Sequence, residues 1–105
     1  MKFEEHCQHS IKLFGKPYEE VHLWLDELQQ DPLYKSRHRK KRHHKQGIEQ
    51  VRELFGNKAA LVAAQHILDD ITSEDATLRE KSLTYDQLID LIPEDEDDHI
   101  KRGYW

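Results

Sequence analysis

The sequence predicts an all-α protein, a compact single-domain bundle of four or five helices. Apolar residues recur at helical spacing in several successive segments, and glycine and proline fall mostly between those segments. Size sets the domain count: 105 residues can enclose one core but hardly two.

Each element follows from its own residues. Phe3, Cys7, Ser10, Ile11 and Phe14 share one helical face, and Gly15-Lys16-Pro17 breaks it. Val21, Leu25 and Leu28 mark a second short helix, with Trp24 adding a broad apolar surface. Asp31-Pro32 is a junction. From about Leu33 to Phe55 the chain reads as one longer helix, with Ile48, Val51 and Phe55 as its buried stripe and Gly56-Asn57 as its stop. Asn57 is suited to cap the next helix, whose expected packing face is Leu61, Ala64, Leu68 and Ile71. A connection is expected from Thr72 to Asp75. Thr84 is a cap for a last helix with Leu88, Leu91 and Ile92, which Pro93 ends. Residues 1–93 therefore read as the helical core domain. Residues 94–105, acidic from Glu94 to Asp98 and then apolar at Ile100, Tyr104 and Trp105, read as a tail or docking segment.

Composition narrows the function classes. Charged residues are 35% of the chain, hydrophobic ones 36%, and the formal net charge is -5. No stretch approaches the roughly 20 apolar residues of a membrane span, and the N-terminus lacks the hydrophobic block of a signal peptide. The lone Cys7 excludes an intrachain disulfide and four-cysteine metal sites. A cytoplasmic, reducing location is the expectation. There is no P-loop, serine nucleophile elbow, HExxH or EF-hand pattern. Cys7 beside His6 reads as a small buried residue rather than a nucleophile.

Three constellations carry chemistry. His22-x-Trp24-x-Asp26 puts an imidazole and a carboxylate one helical turn apart, as a hydrogen-bonded pair or as two metal ligands. Lys35 to Lys45 holds seven Lys or Arg and three His in eleven residues. On an ideal helix Arg37, Lys41 and His44 lie near the face of Ile48 and Phe55, while His38 and His43 diverge to opposite flanks. That makes His44 the inward metal candidate, with His38 or His43 able to contribute at a helix crossing. Arg37, Arg39, Lys41 and Arg42 are the candidates for binding phosphate or another anion. The third constellation is His66 and Asp70, again one turn apart, with Asp69 close by. This pair lies largely opposite Leu61, Ala64 and Leu68. It is therefore expected to face another helix or a protomer.

The span from Phe3 to about Ile92 resembles a small, poorly characterised family of helical bacterial and phage-associated proteins. The resemblance lies in His22-x-Trp24-x-Asp26, in the Arg37-His38-Arg39 to His43-His44 segment followed by Gly47-Ile48, in Phe55-Gly56, and in Gln65 to Asp70. It implies no established substrate or reaction.

These residues lead to a divalent-metal-binding protein with a histidine–carboxylate site drawn from His22, Asp26, His38, His44, His66 and Asp70. The identity of the metal is left open, and the site is open to use as a phosphoester or amide hydrolase. Trp24, Ile48, Val51, Phe55 and Leu68 are assigned to the scaffold. The alternatives are a nonenzymatic nucleotide-binding or sequestering protein, or a small protein-interaction module. A homo-oligomer and an anionic small molecule are the partners this allows. Nucleic acid is disfavoured, because the basic segment lacks aromatics for stacking bases.

Overall fold

The computed structural model describes residues 2–27, 39–75, 77 and 83–103, with Arg39, Lys40 and Tyr85 by their backbone only. Every regular element among them is helical: α1 (Phe3–Phe14), α2 (Glu19–Asp26), α3 (Arg39–Arg42), α4 (Lys45–Phe55), α5 (Asn57–Glu74), α6 (Tyr85–Asp90) and α7 (Glu96–Lys101). The α4–α5 hairpin is the spine, and α1 and α2 pack on α5 beside it. The α-carbon radius of gyration, 12.9 Å, is that of one compact body of this length.

Local chemistry sets the boundaries. Gly15 ends α1 in the left-handed region at φ 82°, and its N–H reaches the Ile11 carbonyl, a conformation that costs a glycine little. Thr84 caps α6 as expected, in a reciprocal capping box with Gln87. Gly56, not Asn57, stands at the α4–α5 corner as the cap, and α5 runs through Thr72 and Ser73 to Glu74. Both hydroxyls bond back to carbonyls of the preceding turn, Thr72 to Leu68 and Ser73 to Asp70. The helix thus runs through these residues instead of opening a connection there, with both hydroxyls satisfied on their own helix.

The long helix expected up to Phe55 is broken. His43 and His44 separate α3 from α4, and the expected stretch from Leu33 to His38 lies outside the described residues. His44 adopts an extended backbone, and its side chain caps α4 by accepting from the Gly47 N–H at 3.0 Å. Gly47 is needed at that corner, since a Cβ there would stand 1.9 Å from the Arg42 carbonyl oxygen.

The core contains Val21, Leu25, Ile48, Val51, Val62, Ile67, Leu68 and Ile92. Trp24 packs partly buried against it. Phe55, expected inside, is exposed, as is Leu61. The buried residues of α5 are Ala59, Ala60, Val62, Ala63, His66, Ile67, Leu68, Asp69 and Asp70. Its alanines let α4 approach closely and leave room for rings further along. The acidic segment is also structured: Asp95 caps α7 by accepting from the Asp98 N–H, and α7 packs on α3. Lys45 and Gln46 N–H groups donate to the Pro93 and Glu94 carbonyls, so the chain after α6 is stitched to the start of α4. Among the described residues no helix is long and apolar enough to cross a membrane.

Candidate metal centre

Four histidines and two aspartates meet where α1, α2, the α3–α4 break and α5 converge. His6 comes from α1, His22 and Asp26 from successive turns of α2, His43 from the break, and His66 and Asp70 from successive turns of α5. All four histidines and Asp70 are buried, and the Asp26 side chain is 22% exposed. Burying that much polarity is costly unless every group is paired or binds a cation. The pairings found here are specific.

His66 Nε2 lies 3.3 Å from Asp70 Oδ2 and 3.5 Å from Asp26 Oδ1. Among the described residues it makes no hydrogen bond of good geometry. His43 Nε2 stands 3.2 Å from the Leu25 carbonyl oxygen and 3.2 Å from Asp26 Oδ1, and its Nδ1 is 3.5 Å from Asp70 Oδ2. One donor atom from each of Asp26, His43, His66 and Asp70 falls within 4.8 Å of the others. A second group, His6, His22 and His66, meets the same distance criterion.

Ring orientation separates the two groups. A metal ion lies close to the plane of each imidazole that binds it, because the nitrogen lone pair lies in that plane. His43 and His66 are edge to face, with centroids 5.0 Å apart and planes at 85°, so their lone pairs can converge. His6 and His66 are stacked, with centroids 3.6 Å apart and planes 12° from parallel. An ion bound in the plane of one ring would lie well out of the plane of the other. His22 Nδ1 and His66 Nδ1, 2.8 Å apart, are at hydrogen-bond distance, with one nitrogen donating to the other. Ring orientation thus makes the three-histidine group fit better as supports and leaves the four-residue group as the candidate for a cation. The chain therefore holds a buried histidine–carboxylate cluster with the donor set for a divalent metal.

The supports are themselves anchored. His6 Nε2 bonds Asp70 Oδ1 at 3.0 Å, leaving Oδ2 toward His66. Ser10 Oγ meets His22 Nε2 at 2.7 Å. At the edge, Asp69 is held by His9 Nδ1 at 2.6 Å and by the Gln65 amide at 2.8 Å.

Electrostatics agree with this division. Burial, with His66 and His6 nearby, pushes His22 down to about 3. Burial likewise pushes His43 down to about 4, against the pull of Asp26. Both are neutral imidazoles near pH 7. Burial also disfavours a charge on His66, yet the facing carboxylates of Asp26 and Asp70 outweigh it and raise its pKa. The position between those carboxylates attracts a positive charge. Cys7 is inert by comparison, since burial, Glu19 and Glu4 push its thiol up.

Of the residues expected from sequence, Asp26, His66 and Asp70 come together, and His22 touches His66. His44 is not in the cluster: it caps α4 with Nδ1, and its Nε2 meets the Lys41 carbonyl at 3.1 Å. His38 and Arg37 lie outside the described residues, as does the Arg39 side chain. Lys41 faces Glu96 at 3.1 Å and Lys45 faces Glu94 at 2.7 Å. Arg42 bonds the Trp24 carbonyl at 2.7 Å and Glu27 at 2.6 Å, and lies 4.1 Å above the Trp24 ring. Sequence reasoning left out His6 and kept His43 in reserve. The signal for His6 was its place one turn before Ser10, on the inward face of α1.

Comparison with known proteins adds the family. A domain of unknown function (DUF6915) matches residues 1–79. The chain belongs to that family. The DUF6915 match spans α1 to α5 and so takes in every residue of the cluster, but neither α6 nor α7. No curated protein and no solved structure gives a significant match.

Proposed function

We propose that this protein binds a divalent metal ion through Asp26, His43, His66 and Asp70, and that the ion fastens the α3–α4 corner and α2 to α5. The observation that carries this is the spacing of donor atoms. Zinc-type bonds of about 2.0–2.1 Å in a tetrahedron put neighbouring donors about 3.3–3.4 Å apart. The contacts of Asp70 Oδ2 with His66 Nε2 and His43 Nδ1, and of Asp26 Oδ1 with His66 Nε2, are 3.3, 3.5 and 3.5 Å. The His43 Nε2–H donates to the Leu25 carbonyl, which leaves Nδ1 as its lone-pair nitrogen and fixes the ring as such ligands usually are.

With three of the four donors buried, the role best supported is structural. The ion would supply positive charge between two carboxylates that the fold brings into its interior. Hydrolysis would need a position open to water and substrate, and only Asp26 among the four reaches solvent. A nucleotide site has less support, because Lys41, Arg42 and Lys45 already face carboxylates of the same chain.

The test is elemental analysis of tag-free protein purified without added metal or chelator, followed by titration with Zn2+, Co2+ and Mn2+. A whole-number metal ratio that survives desalting is expected. Folded protein that arrives metal-free and takes up none of the three ions would overturn the proposal.

A further inference from the structure

We propose that His22 and Ser10 are positioning residues: together they decide which nitrogen of His66 is offered to the ion. The inference rests on the metal reading above. Ser10 Oγ, His22 and His66 form a continuous buried chain, with Ser10 Oγ 2.7 Å from His22 Nε2 and His22 Nδ1 2.8 Å from His66 Nδ1. The three residues are 4%, 1% and 0% exposed, so water is no substitute for any partner in it.

The proton positions follow from the bonds. A ring nitrogen that binds metal must present a lone pair, and on His66 that nitrogen is Nε2, between Asp26 and Asp70. A neutral His66 then carries its proton on Nδ1. His22 Nδ1 must accept that proton, so His22 carries its own on Nε2, which donates to Ser10 Oγ. The direction of the whole chain is fixed from one end.

Replacing the acceptor disfavours this arrangement. Without His22, an Nδ1–H on His66 would be buried with no partner, at the full cost of an unmade bond. The form that offers an Nε2 lone pair to the ion is then harder to reach, and the proton that Nε2 holds toward the two carboxylates is harder for the ion to displace. His22 thus acts on the metal without touching it, as outer partners of ligating histidines do.

The experiment uses the full chain, stripped with chelator and titrated with Co2+, whose visible absorption is far stronger in four-coordinate than in six-coordinate surroundings. The wild type is expected to give the four-coordinate spectrum. His22→Leu, close in volume but without an acceptor, should keep its helical circular dichroism and bind Co2+ roughly 10–100-fold more weakly. His22→Gln, whose amide can accept from His66 and donate to Ser10, should recover most of that loss, and Ser10→Ala should fall between. Wild-type affinity and spectrum in His22→Leu would overturn the inference, as would a folded His22→Gln no better than His22→Leu. Should His22→Leu fail to fold, Ser10→Ala decides: a weakened affinity supports the relay, and an unchanged one overturns it. No Co2+ uptake by the wild type would instead remove the metal reading, and this inference with it.

Discussion

His43 and His66 meet edge to face, with ring centroids 5.0 Å apart and planes at 85°. One ring comes from the break between α3 and α4, the other from the middle of α5. This perpendicular contact lets two in-plane lone pairs converge, and the stacked pair His6 and His66 cannot do so. The short interruption at His43-His44 therefore has a double use. It turns His43 inward toward the carboxylates and sets His44 to cap the helix that follows.

Those two adjacent histidines should respond differently to the same substitution. His43→Ala is expected to abolish the bound metal after desalting. His44→Ala should retain it and lose only cap stabilisation, on the order of 1 kcal/mol. Elemental analysis with thermal melts of both variants makes the comparison. Equal loss of metal in the two would count against His43 as the ligand.

Gly47 should prove as restrictive as any residue near the site. Its missing side chain lets the Arg42 carbonyl approach, and an added Cβ would lie 1.9 Å from that oxygen and 2.7 Å from its carbon. Backbone must move to relieve the overlap, and the backbone concerned carries His43. Gly47→Ala should cost on the order of 2–3 kcal/mol and weaken metal binding with it. An unchanged melting temperature and metal content would show that the corner has slack.

Much of the fold and part of the buried histidine–carboxylate cluster were legible in the sequence, for reasons that differ by residue. The pairs His22/Asp26 and His66/Asp70 each lie one turn apart on a helix, so spacing alone aligned them. Thr84 with Gln87 gave a complete capping signature. The break at His43-His44 was not legible, because a run of helix-forming Lys and Arg gives no stop signal, and the reason for the break is tertiary: Lys45 and Gln46 N–H groups bond the chain beyond α6. Reading α3 and α4 as one helix turned His44 inward and His43 aside. On α5 the periodicity holds for Leu68, which lies in the core, and for Ala64 and Ile71, which pack against it, but not for Leu61, which is exposed. Ala59, Ala60 and Ala63, too small to mark a face by hydrophobicity, are buried instead. The Glu94–Asp98 run gave acidity but not a helix, since its cap, Asp95, is one more carboxylate in the run.

Ion-free protein should lose stability in mild acid. Histidine in an unfolded chain has a pKa near 6.5, whereas the fold holds His22 at about 3 and His43 at about 4, chiefly by burial. Between pH 6.5 and 4 the unfolded chain thus binds more protons than the folded one, and stability falls as pH falls. At about 1.4 kcal/mol per pKa unit, the two together remove on the order of 5 kcal/mol by pH 4. Urea melts of chelator-treated protein at pH 7, 5.5 and 4 measure this. A midpoint that holds constant across that range would rule out buried neutral histidines.

On the alkaline side the sign reverses, and the ion should take over from a proton. The folded pKa of His66 is raised because Asp26 and Asp70 outweigh the opposing effect of burial. Its contribution to stability is full below the unfolded value near 6.5 and is lost as pH rises through the folded value. Ion-free protein should therefore weaken above neutrality as Nε2 loses its proton and the two carboxylates face each other without a cation. Metal at Nε2 restores that charge without needing the proton, so affinity should rise with pH and binding should release about one proton while His66 is still protonated. Metal at a hundredfold excess over its dissociation constant adds about 2.7 kcal/mol, which for a domain of this size is on the order of 10 °C in Tm. The gap in Tm between loaded and chelated protein should accordingly widen from pH 6 to pH 9. Calorimetric titration in buffers of different ionisation enthalpy counts the proton directly. A gap that narrows with rising pH, or metal uptake with no proton release at pH 6, would place the ion somewhere other than His66.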